Sequence, residues 1–143
     1  MEGQRMEQHE FVTVINCMDG RVQEPVIQWM KNRYNAKYVD SVTEAGPNKV
    51  LLSNNQDKID AIIERVRVST DKHGSTVLAI AGHYDCAGHA VDGELKKARI
   101  RESIELISTW GLDVEIIGLY VNDQWQVEVV DGRAREQLQA KAQ

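Results

Sequence analysis

Short apolar runs that alternate with helix-periodic stretches leave this chain very few folds. Residues 11–15 (FVTVI), 75–81 (STVLAIA) and 114–121 (VEIIGLYV) are brief and rich in β-branched side chains, as strands buried on both faces require. Between them apolar residues recur at helical spacing. Val26, Ile27, Met30 and Tyr34 follow Glu24-Pro25, Ile59, Ile62, Ile63 and Val66 follow Asn54-Asn55, and Leu95, Ile100, Ile104 and Ile107 lie within residues 92–110. Pro25 suits a first helical turn, the asparagines suit a helix start, and Gly111 suits a stop. Residues 38–42 add a short strand that runs into a turn-rich loop at 43–48. Residues 125–130 (WQVEVV) alternate with the period of a half-exposed edge strand, joined to its predecessor by a hairpin at 121–124. The order β-α-β-α-β-α-β-β predicts a single-domain α/β protein. Its central sheet is expected to be mostly parallel, with helices on both faces and a C-terminal antiparallel edge strand.

Composition narrows the function classes. At 143 residues the chain suits one domain, with a net charge of −5 that argues against nucleic acid bound by general electrostatics. No apolar run approaches the roughly 18 residues of a membrane span, and the opening MEGQRMEQHE has no hydrophobic signal core. Two cysteines make no disulfide framework, so a reduced, cytoplasmic protein is expected. Residues 1–10 read as a polar lead-in and residues 132–143 as a tail or short helix.

Chemistry concentrates at the ends of two strands. Cys17, Asp19, Gly20 and Arg21 follow the first buried run, and Gly82-His83-Tyr84-Asp85-Cys86 follows the third. In open α/β sheets, ligands bind in the crevice beyond the strands' carboxyl ends. Cys17, His83 and Cys86 supply two thiolates and an imidazole, a donor set suited to tetrahedral zinc, and three protein ligands leave one position open. Asp19 is placed either to fill that position or to hydrogen-bond a water in it. Arg21 is placed to hold Asp19 ionised. A buried Cys is often only a small hydrophobe, and a strand-end Cys near an Arg is alternatively a reactive thiolate. His9, His73 and His89 read as surface or loop histidines, with His89 near enough to shuttle protons.

The pair of segments Cys17-Met18-Asp19-Gly20-Arg21 and Gly82-His83-Tyr84-Asp85-Cys86, with Ala45-Gly46 between them, resembles the zinc motifs of the β-class carbonic anhydrases. The order of elements fits that family from about residue 11 to about 131. The resemblance implies Zn2+ on Cys17, His83 and Cys86. It makes Asp19 and Arg21 a catalytic dyad that orients zinc-bound hydroxide, with Asp19 a fourth ligand in a closed form. The implied activity is zinc-dependent hydration of carbon dioxide to bicarbonate, by a homodimer or higher homo-oligomer with a small-molecule substrate. Hydrolysis of carbon disulfide or carbonyl sulfide on the same site, and a non-catalytic zinc-binding homologue, are the alternatives. Gly20, Glu44 and Ala87 depart from the family's usual residues, and the usual N-terminal helical arm is missing.

Overall fold

The run at 11–15 lies inside strand β1 (His9–Cys17), where Val12, Val14 and Ile15 have no solvent exposure. A computed structural model, which describes residues 8–142, pairs β1 in parallel with β2 (Ala36–Glu44) and β3 (Val77–His83). β4 (Glu115–Val121) runs parallel to β3, and β5 (Val127–Arg133) closes the sheet antiparallel to β4. The order is therefore β2-β1-β3-β4-β5. All seven residues of β3 are buried, which explains why its sequence is apolar throughout rather than alternating.

Helices cover both faces. Helix α1 (Gln23–Tyr34) lays Val26, Met30 and Tyr34 against Val12, Val14 and Ala79. Across the sheet, α2 (Pro47–Leu51), α3 (Gln56–Arg67) and α4 (Gly93–Ile107) pack Leu51, Ile62, Ile100 and Ile104 against Ile15, Leu78 and Ile80. The Asn55 side chain caps α3 by accepting from Lys58 N–H, and Asp92 caps α4 by accepting from Leu95 N–H. A short helix α5 (Arg135–Ala142) follows β5.

The structure differs from the sequence reading in several places. β1 starts at His9, inside the stretch read as lead-in, while residues 1–7 lie outside the described residues. Pro47 and Asn48, read as loop, open α2, where proline's missing N–H costs no helical bond. On α4 Ile100, Ile104 and Ile107 face inward as expected, but Leu95 does not. Leu95 is 37% exposed whereas Lys96 is 2% exposed, and the buried set is Lys96, Ile100, Ser103, Ile104 and Ile107. His73 is exposed, as expected, and is held there with its Nδ1 2.6 Å from an Asp40 oxygen and its ring stacked on Phe11 at 4.2 Å.

Candidate metal centre

Parallel pairing of adjacent strands brings their carboxyl ends to one edge of the sheet. Cys17 ends β1 and His83 ends β3, its immediate neighbour. After His83 a tight turn passes through Asp85 in the left-handed conformation (φ 56°) and returns Cys86 to the same place. The ligating atoms of Cys17, His83 and Cys86 all lie within 4.8 Å of one another, and all three residues are buried. Cys17 Sγ and Cys86 Sγ are 3.9 Å apart. Tetrahedral zinc with Zn–S bonds of about 2.3 Å requires a sulfur separation of about 3.8 Å.

His83 is aimed by its other nitrogen. The carbonyl of Tyr84 accepts a hydrogen bond from Nδ1 at 2.7 Å, so in the neutral ring the lone pair sits on Nε2. That Nε2 is fully buried and finds no partner among the described residues. A buried imidazole nitrogen without a partner is costly unless an acceptor of its lone pair sits there. The sulfurs, by contrast, have donors. The Cys17 thiol is pulled well below its ordinary value, first by the hydrogen bond from Cys86, against burial, and further by the backbone N–H groups of Gly46 and Asp19. The Cys86 thiol moves up because it keeps the proton the pair shares and because it is buried. These observations fit a divalent metal held by two thiolates and one imidazole. No other group of metal-ligating side chains of this kind occurs among the described residues.

Asp19 stands beside the cluster rather than in it. One of its oxygens is 3.9 Å from His83 Nε2. Arg21 grips the carboxylate with Nη2 at 2.7 Å and Nε at 3.1 and 3.2 Å, while its backbone N–H donates at 2.9 Å. The Arg21 side chain and backbone donors hold the Asp19 carboxyl at a pKa of about 2. Arg21 in turn donates to the Asp85 carboxylate at 3.2 Å and to its carbonyl at 3.1 Å, and lies over the Trp125 ring at 4.9 Å.

Several supporting residues escaped the sequence reading. The Gln23 amide donates to the carbonyls of Cys17 (2.7 Å) and Asp19 (2.9 Å), and the Asn16 side chain accepts from Cys17 N–H at 2.8 Å. Met18 N–H donates to Glu44 O at 2.9 Å, tying the loop to β2. Asp85 and Trp125 bracket Arg21. Asp85 lies within the 82–86 segment, whereas Trp125 is remote in sequence and carries no signal for this site. His89, read as a surface or loop residue, is buried, and its Nδ1 has no partner among the described residues.

A parallel sheet covered on both faces, with a Cys-His-Cys cluster at its carboxyl edge, defines an α/β protein with a candidate metal centre. Residues 7–131 match the family described as "Putative carbonic anhydrase", and the chain belongs to that family. It is similar in structure to a tetrameric β-carbonic anhydrase of the filamentous ascomycete Sordaria macrospora (TM-score 0.59, 14% identity, 90% of this chain and 84% of that one). A second structural neighbour is the β-carbonic anhydrase CafA of Aspergillus fumigatus (TM-score 0.55, 14% identity, 94% of this chain and 82% of that one). No curated protein sequence matches. Among the described residues no helix is long and apolar enough to cross a membrane.

Proposed function

We propose that this chain is a zinc-dependent carbonic anhydrase that hydrates carbon dioxide to bicarbonate, with the metal on Cys17, His83 and Cys86 and with Asp19 and Arg21 as the orienting dyad. The observation that carries the reading is the buried, partnerless His83 Nε2 facing two thiols at zinc-like separation, with an ionised carboxylate beside it. When bound, zinc lowers the pKa of its water towards neutrality and so supplies a nucleophile at ordinary pH. With the metal bound, Asp19 would be placed to accept a hydrogen bond from that nucleophile and to orient it. Arg21 keeps the carboxylate ionised and gripped beside the three-residue cluster, which would leave a fourth metal position for substrate chemistry. Tyr84 and Trp125, in edge contact at 6.3 Å, give apolar surface close to Arg21, suited to an uncharged linear substrate.

The protein is proposed to act as a homodimer or larger homo-oligomer in the cytoplasm. The outer strands β2 and β5 carry exposed Tyr38 and Val129, and open strand edges of this kind are usually covered. Sedimentation showing only a 16.2 kDa species at micromolar concentration would overturn the assembly. Stopped-flow carbon dioxide hydration by zinc-loaded protein across pH tests the activity. A rate that rises with pH and vanishes on chelation is expected. A zinc-replete protein without hydration activity would leave hydrolysis of carbon disulfide or carbonyl sulfide, or a non-catalytic zinc role, instead.

A further inference from the structure

Among the described residues three that are not glycine hold a positive φ: Asn35, Asp85 and Trp125. Asn35 is an ordinary left-handed cap at the end of α1. The other two lie in the loops after β3 and β4 and meet at one side chain, Arg21. Asp85 (φ 56°) accepts from the guanidinium on its carboxylate at 3.2 Å and on its carbonyl at 3.1 Å. Trp125 (φ 59°) places its ring against the guanidinium, with Arg21 Cζ 4.9 Å from the ring centre.

Trp125 is the more unusual of the two. Asn122 N–H donates to Gln126 O and Trp125 N–H donates to Asn122 O, both at 2.9 Å, so residues 123–125 form a three-residue hairpin loop. The Asn122 side chain closes that loop by accepting from Gln124 N–H at 2.9 Å and Gln126 N–H at 3.0 Å. The last position of such a loop is left-handed, a conformation that glycine adopts freely and a bulky side chain does not. Strained positions persist where their surroundings hold them, and they gather at functional sites. Here the ring does the holding. Half-buried, it packs against the apolar cluster that contains Cys17 and Cys86, and it meets Tyr84 edge-on at 6.3 Å.

The Arg21 side chain is 47% exposed, and ion pairs this open are loosened by water and salt. Arg21 also faces two carboxylates, Asp19 at 2.7 Å and Asp85 at 3.2 Å. An aromatic ring on the guanidinium excludes water from one face and fixes the plane in which the donors point. We propose that Trp125 is a positioning residue for the candidate site: its ring, carried by a strained turn, keeps the Nε and Nη2 fork of Arg21 on Asp19. The effect on turnover rests on the zinc reading above, whereas the effect on Arg21 does not.

The test compares wild type, Trp125→Gly and Trp125→Phe, each supplied with zinc. Glycine suits the left-handed position, so Trp125→Gly should fold without the ring, and Trp125→Phe returns an aromatic face to the same place. The first readout is NMR relaxation of the Arg21 Nε–H group, assigned as the resonance lost in Arg21→Lys. Expected are order parameters of about 0.8 in wild type and Trp125→Phe and below about 0.6 in Trp125→Gly, with zinc per chain unchanged. The second is stopped-flow hydration, where kcat/KM should fall about tenfold in Trp125→Gly, through kcat, and be largely recovered in Trp125→Phe. An Arg21 equally rigid without the ring would overturn the proposal, as would full turnover in Trp125→Gly. Loss of zinc from Trp125→Gly would overturn it too, since the ring would then support the metal cluster rather than the dyad. Wild-type protein without zinc or without hydration activity would remove the zinc reading, while the relaxation of Arg21 would still decide whether Trp125 positions it.

Discussion

Gly46 and Gly88 meet backbone to backbone. A Cβ on Gly88 would lie 2.6 Å from the carbonyl carbon of Ala45 and 2.7 Å from Gly46 N, and one on Gly46 would lie 2.7 Å from the Gly88 carbonyl. Gly46 also has φ +64°, a conformation that costs an L-residue about 1 kcal/mol or more. The contact matters because the N–H of Gly46 donates to Cys17 sulfur and that of Gly88 to Cys86 sulfur. Gly46→Ala and Gly88→Ala should each destabilise the fold by about 1–3 kcal/mol. Each should also lower the metal bound per chain, because parting the two loops draws their N–H donors off the sulfurs. Calorimetry with elemental analysis checks both effects.

Cys86→Ser should lose most of the metal, since a hydroxyl is a far poorer ligand than a thiolate. The shared proton adds a second expectation for metal-free protein. Cys17 is the thiolate of the pair and Cys86 the thiol, so Cys86→Ala, which has no donor, removes the hydrogen bond that most lowers Cys17. The remaining Cys17 should then titrate at a higher pH than it does in wild type. Thiol absorbance near 240 nm across pH reads this directly, and full zinc retention in Cys86→Ser would rule out the ligand assignment.

His89 should stay neutral through the physiological range. Burial first, then the cations Lys96, Lys49 and Arg99, lower its pKa to about 4. Its unfolded value is about 6.5, so the neutral native ring contributes stability that is fully present above pH 6.5. That contribution is lost as pH falls through about 4. The ring resonances should therefore be flat from pH 8 to about 5 by NMR, and a midpoint near 6.5 would contradict the burial argument. A histidine that holds no proton near neutrality cannot relay protons there. The shuttle role that its position in the sequence suggested is therefore not expected.

The strands and the three donor residues were legible because each rests on a local signal. Fully buried parallel strands read as unbroken apolar runs, and Cys17, His83 and Cys86 are uncommon residue types placed directly at the ends of two such runs. Parallel topology does the rest by bringing those ends together. What the sequence did not disclose depends on distance in space. A lysine counts as solvent-facing in any hydrophobic pattern, so the pattern on α4 points to Leu95 where the structure buries Lys96. Only the packing across Gly82 reveals where its stem goes. Gln23 carries no catalytic signature, yet its amide bonds fix the loop that carries Cys17 and Asp19. The start of α2 at Pro47 was hidden because Gly46-Pro47-Asn48 is also turn chemistry.

The Asp19–Arg21 pair separates a catalyst from a salt bridge on the surface. Arg21 is about half exposed, and an exposed ion pair contributes about 0–1 kcal/mol to stability. On stability alone, therefore, Asp19→Asn should be nearly silent. Its effect on hydration should not be. Asp19 presents an acceptor-only group 3.9 Å from His83 Nε2, and Asn can turn a donor to the same point and misorient the nucleophile. The expected loss in kcat/KM is on the order of 10²-fold or more, the scale of a misplaced catalytic group. Arg21→Lys should act in the same direction, because a single ammonium cannot reproduce the two-pronged grip of Nε and Nη2. It also loses the contact with Trp125 and the bonds to Asp85. An Asp19 released in this way can reach the metal and close its fourth position, so Arg21→Lys should bind azide more weakly as well as turn over more slowly. The decisive measurement is hydration rate against pH for wild type and both variants at matched zinc content. Equal rates in all three would make the dyad structural and leave the nucleophile oriented by something else.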